Sequence, residues 1–197
     1  MALWEPLWEI IMATTKISSG ISLSNTYFKR RFYTNNTDAM NKSKRSDFSK
    51  THLSYEDSLA LHNAAKKLKG YKYSDTDNEE NIKSTIMAFV DTYNNTISSA
   101  DDSTSNSKRY SKQLKSLVKK YSDELSDLGI TVDSKGSLSA NENLLKKASM
   151  EDINKVFGKD EKLTSSLYRI TGKMSNVSYD DYYSSIISTS TKINLTV

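Results

Sequence analysis

Residues 110–128 read YSKQLKSLVKKYSDELSDL, and their spacing decides the fold class. Tyr110, Leu114, Leu117, Val118, Tyr121, Leu125 and Leu128 follow at steps of 4, 3, 1, 3, 4 and 3. Side chains at that spacing line one face of an α-helix and leave the lysines and serines on the other. Gly129 supplies the stop. Just upstream, Ile82, Ile86, Phe89, Val90, Tyr93 and Ile97 repeat the pattern at steps of 4, 3, 1, 3 and 4. A polar break from Ser98 to Ser107 separates the two runs. Two apolar stripes joined by a short polar turn are expected to pack as an antiparallel αα-hairpin. Buried packing is the expected role of every stripe residue, Leu117 included.

Outward from this pair, the punctuation predicts shorter pieces. Ser54 with Asp57 resembles a helix start, followed by Leu61, Ala64, Ala65 and Leu68 and closed by Gly70. Asp77 with Glu80 offers a further start. Beyond Gly129 the helical period gives way to β-prone Ile130-Thr131-Val132. Asp133-Ser134-Lys135-Gly136 has the residues of a tight turn, and Ser137-Leu138-Ser139 can return as a strand. Ser139 with Glu142 and Ser149 with Asp152 then open two short helices, and Leu163, Leu167, Ile170 and Met174 mark a last one. The expected fold is mainly α: a helical hairpin with short accessory helices and one small β-hairpin at about 130–139. The expected organisation is a polar basic leader (1–50), a helical domain (51–175) and a Tyr/Ser/Thr-rich tail without a readable period (176–197).

The leader carries the charge. The chain has 197 residues and a net charge of +4. Lys29, Arg30, Arg31, Lys42, Lys44, Arg45 and Lys50, opposed by Asp38 and Asp47, give residues 29–50 a charge of +5 alone. Such a segment reads as a solvated, flexible arm able to meet an acidic surface or nucleic acid. Both tryptophans, Trp4 and Trp8, and the single proline, Pro6, fall within residues 1–11. This stretch lacks a signal-peptide pattern. It reads either as an extension ahead of a start at Met12 or as a small hydrophobic docking peptide.

Composition excludes several chemistries. Cysteine is absent, which removes disulfides, thiolate metal sites and cysteine nucleophiles. His52 and His62 are the only histidines, too few for a histidine metal cluster. Asp75-Thr76-Asp77-Asn78-Glu79 begins like a calcium loop, but Glu80 and Ile86 stand where that loop needs glycine and glutamate. Asp101-Asp102 reads as a turn. No metalloprotease, serine-hydrolase, phosphate-loop or dinucleotide motif occurs. No catalytic, cofactor-binding or metal-ligating residue is assigned, and a non-enzymatic protein is expected. Ser, Thr and Asn make up 64 residues, and no uncharged apolar run is long enough to span a membrane.

Three stretches carry a family resemblance. Ala88-Phe89-Val90-Asp91-Thr92-Tyr93-Asn94-Asn95 is similar to an "FV-x-x-YN" helix. Leu128-Gly129-Ile130-Thr131-Val132-Asp133-Ser134-Lys135-Gly136-Ser137-Leu138-Ser139 is similar to an "LGI-T-x-D-x-x-G-x-L-x" hairpin. Ile153-Asn154-Lys155-Val156-Phe157-Gly158 is similar to the "V-x-x-LFG" that follows it. In this order they resemble the C-terminal conserved region of the flagellar filament-cap protein (hook-associated protein 2), over roughly residues 53–175. The resemblance implies a structural protein, exported without a cleaved signal to a bacterial flagellum or the exterior. It would oligomerise there or meet flagellar or cell-surface proteins, with no small-molecule substrate and no cofactor. The chain has no room for the family's large outer domains and lacks an N-terminal heptad seam, so a reduced paralogue is expected. The alternative is an intracellular helical adaptor, placed in the cytoplasm, whose basic arm (29–50) binds an acidic partner or nucleic acid.

Overall fold

A computed structural model describes residues 23–74 and 78–193. The fold is mainly α with one small β-hairpin, as the periodicity predicts. The elements run α1 (Leu23–Phe32), two 3-10 turns (Thr37–Met40 and Lys42–Asp47), α2 (Lys50–Lys69), α3 (Glu79–Asp101) and α4 (Ser105–Lys120). Then come α5 (Ser122–Asp127), β1 (Ile130–Val132), β2 (Leu138–Ala140), α6 (Glu142–Lys147), α7 (Met150–Phe157) and α8 (Lys162–Ile193). The readings placed on residues 1–11 and on Asp75 to Asp77 lie outside the described residues.

Both diagnostic stripes are helical, but each finds its main partner elsewhere. Helix α3 packs on α2, and α4 packs on α8. Helix α2 bridges the two pairs. It runs antiparallel to α8, with Thr51 beside Ser185, His62 beside Thr171 and Lys69 beside Ser165. Helix α3 meets α4 chiefly near their turn, where the Asp101 carboxylate accepts from Ser111 Oγ (2.7 Å) and Lys115 Nζ (2.5 Å). The rod expected over 110–128 breaks at Tyr121, whose backbone leaves the helical region (φ −109°, ψ 26°). Leu114 and Val118 are fully buried, while Leu117 is only partly so, packed against the edge of the core.

The capping readings divide. Ser149 caps α7, accepting from the Asp152 N–H at 3.1 Å. Ser54 does not begin α2: Ser49 does, accepting from the His52 N–H at 3.2 Å. Ser54 and Asp57 sit fully buried in the middle of that helix. Ser139 lies in β2, and Asn141 caps α6 instead, accepting from the Asn143 and Leu144 N–H groups.

Two readings are corrected outright. The leader from residue 29 to 50 is not a bare loop: it carries the end of α1 and two 3-10 turns and packs on the helices. Phe28, Phe32, Tyr33 and Ala39 enter the same buried cluster as the helical stripes. Three cations of this segment face carboxylates: Lys29 with Asp91, Lys44 with Asp38 and Arg45 with Asp57. The tail is not aperiodic either, because α8 continues to Ile193. Its serines and threonines bond back to carbonyls one turn earlier, Ser188 to Ser184, Thr189 to Ser185 and Ser190 to Ile186. Those hydroxyls are satisfied without leaving the helix.

Candidate interaction surface

The three motif stretches meet in space. Tyr93 Oη donates to the Gly136 carbonyl in the hairpin turn (2.8 Å). Asn94 Nδ2 donates to the Leu138 carbonyl (2.7 Å), and its Oδ1 accepts from the Leu138 N–H (2.9 Å). The amide of Asn94 thus stands in for a third strand beside β2. An isolated two-stranded hairpin is marginal in water. This one is anchored by Asn94, by Tyr93 and by the buried side chains of Ile130 and Leu138. Gly129 (φ +77°) just before β1 and Gly136 (φ +83°) in the turn adopt left-handed backbone that favours glycine. Phe89 meets Phe157 edge-on with centroids 6.0 Å apart. All three motifs are consumed in packing.

A polar network pins the former leader. Arg45 grips Asp57 with both guanidinium nitrogens (2.9 and 2.7 Å) and donates to the Ala39 carbonyl (2.8 Å). Tyr33 Oη donates to the same carboxylate (2.7 Å) and accepts from Asn95 Nδ2 (3.1 Å). Burial, then the Asp57 charge, raises the Tyr33 hydroxyl well above its usual pKa. The residue before Asp57 on α2, Glu56, is 4% exposed, and its Oε2 has no partner. Its Oε1 lies 3.4 Å from His52 Nε2. Burial first, then the neighbouring Asp57 charge, pushes the Glu56 carboxyl up to about 7. Burial also lowers the His52 pKa. Burial thus disfavours the charged form of each partner.

Above this pair lies a layer of rings that seats the second half of α8. His52 stacks on Tyr182 (4.3 Å, 8° between planes), and Tyr55 stacks on Tyr182 and meets Tyr179 edge-on. Ser178 and Asp181 bond to Ser107 and Thr104 of the α4 end, and Ser185 to Thr51. That is the inner face. The outer face carries Tyr183, Ile186 and Ile187, with Tyr179 at its edge, one side of its ring against Tyr55; the four are between 44% and 53% exposed, at steps of 4, 3 and 1. Tyr179 and Tyr183 stack at 6.0 Å. Their spacing was visible in the sequence but was hidden among hydroxyl residues.

Among the described residues no group of three or more histidine, cysteine or acidic side chains is gathered as a metal ion requires. Among them, too, no helix is long and apolar enough to cross a membrane. No family model, curated protein or solved structure matches the chain.

Proposed function

We propose that the chain is a non-enzymatic assembly protein that associates with further copies of itself through the outer face of the second half of α8. One observation carries the reading: four large apolar side chains stand in a row on the solvent side of a helix held in place by its other face. Contiguous exposed apolar rows mark association sites. A second copy is the partner we assign, and the charges do not oppose it. Between Tyr179 and Ile193 the only ionic residues are Asp180, Asp181 and Lys192, and Asp181 accepts from Thr104. Two copies can therefore be apposed with little like-charge repulsion.

The setting we propose is a bacterial flagellum or cell surface, as a reduced paralogue of the filament cap. The support for it is the ordered likeness of the three motif stretches to that family, and these stretches pack on one another. Light scattering coupled to gel filtration tests the association. Wild-type protein should exceed the monomer mass increasingly with concentration, and Tyr183→Ser/Ile186→Ser should remain monomeric with an unchanged helical spectrum. Wild-type protein that stays monomeric at every concentration, and binds neither flagellin nor a cap protein, removes the proposal.

A further inference from the structure

Between the ends of α1 and α2 lies a groove of about 390 Å³. Phe28 and Phe32 form its apolar side, and Asn63, Arg31, Lys66 and Lys67 are among the residues lining the rest. Among the described residues no carboxylate stands within ion-pair distance of those three cations. Neutral rings hold two of them instead. The Arg31 guanidinium lies 5.5 Å from the Tyr27 ring centroid and donates to its hydroxyl (2.6 Å). The Lys67 ammonium lies 4.6 Å from the centroid of Tyr71. A ring orients a cation without cancelling its charge. Cations in the last turn of a helix complement its dipole. That accounts for their presence at two helix ends, but not for a concave phenyl-lined floor beneath them.

We infer that this groove receives a short acidic peptide segment of a partner protein, with its carboxylates on Arg31, Lys66 and Lys67 and an apolar side chain on Phe28 and Phe32. The dimensions decide among anionic partners. The volume falls at the small end of ligand sites, roughly 300–1,000 Å³, and fits a few side chains. A nucleic-acid duplex needs a broad face of about 600–1,000 Å² or more, and its bases are stacked where they cannot enter a groove this small. Arginine's planar fork matches a carboxylate, and the two lysines add charge without fixing direction. The site is separate from the outer face of α8 and does not depend on self-association.

The probe is a fluorescein-labelled pentapeptide, Asp-Glu-Phe-Glu-Asp, read by anisotropy against the full chain. Saturable binding that weakens with added salt is expected. Replacing the phenylalanine by serine should weaken it about tenfold, the loss of one good contact, and replacing the acids by their amides at least as much. Lys66→Glu/Lys67→Glu should do the same, while Lys173→Glu, an exposed lysine of α8, should bind as wild type. Circular dichroism establishes that each variant is folded, and Arg31→Gln provides a second test that leaves α2 untouched. Peptide that does not bind, or binds equally to all variants, overturns the proposal. So does loss of binding in Lys173→Glu equal to that in the groove variants. An unlabelled DNA duplex that displaces the peptide more readily than the unlabelled peptide does would assign the groove to nucleic acid instead.

Discussion

Arg45 and Glu56 show how two charged side chains on the page of a sequence acquire opposite fates. Arg45 looks like one more solvated cation, yet it neutralises Asp57, which is completely buried. Removing one partner of such a pair leaves a buried charge uncompensated, at a cost of about 3–5 kcal/mol. Arg45→Met should therefore lower the urea midpoint steeply, whereas Arg45→Met/Asp57→Asn should recover much of the loss. Equal midpoints for wild type and Arg45→Met would show that the pair is worth nothing. Glu56 has no comparable partner and is pushed up to about 7, against 4.5 unperturbed. Between those two values the folded chain keeps a proton that the unfolded chain has released. Stability attributable to Glu56 is then fully present below 4.5 and falls as pH rises, by up to about 1.4 kcal/mol per pH unit. His52, lowered by burial, acts in the opposite sense but is common to wild type and variant. Glu56→Gln should be close to wild type at acidic pH and more stable than wild type at pH above about 7. Thermal unfolding across pH decides it, and a constant difference at every pH would contradict the assignment.

At the scale of elements, periodicity located the helices but not their partners. The stripe on α4 is real, and its depth is uneven. Leu114→Ala should cost roughly 2–5 kcal/mol, and Leu117→Ala distinctly less, because Leu117 sits at the rim. Equal losses in chemical denaturation would place Leu117 in the interior. Gly129 is confined twice over: its φ is +77°, and an added Cβ would meet Leu144 Cβ at 2.5 Å. Gly129→Ala should therefore lose more than the roughly 1–2 kcal/mol of a left-handed backbone alone, and a neutral result would show that α6 yields. The hairpin was legible because its turn residues are constrained by backbone angles, a local property. The sequence does not single out the cap of α2, because Ser49, Ser54 and Asp57 are all chemically able to cap. Only tertiary burial distinguishes the last two, which line helix contacts. The extension of α8 is not legible in the sequence, for the converse reason. Ser/Thr-rich composition lowers helix propensity, and it was back-bonding along the helix, together with contacts from Thr51, Tyr55 and Thr104, that held it.

In the whole molecule, α2 is the shared wall between α3 and α8, and the former leader is tied to it from outside. The core cluster runs from Phe28 in α1 to Met174 in α8, so the described chain has one continuous interior. This arrangement leaves the inner face of α8 committed and its outer face open, which is the physical basis of the assembly reading. The surface could be written down from the spacing of Tyr179, Tyr183 and Ile186 only once the segment was known to be helical. The absence of cysteine makes the decisive measurement simple. A single Ile186→Cys substitution, oxidised at concentrations where the protein associates, should give disulfide-linked dimer in high yield. Lys147→Cys, exposed on α6 away from this face, should stay monomeric. Equal cross-linking at the two positions, or none at Ile186→Cys, would contradict association through α8.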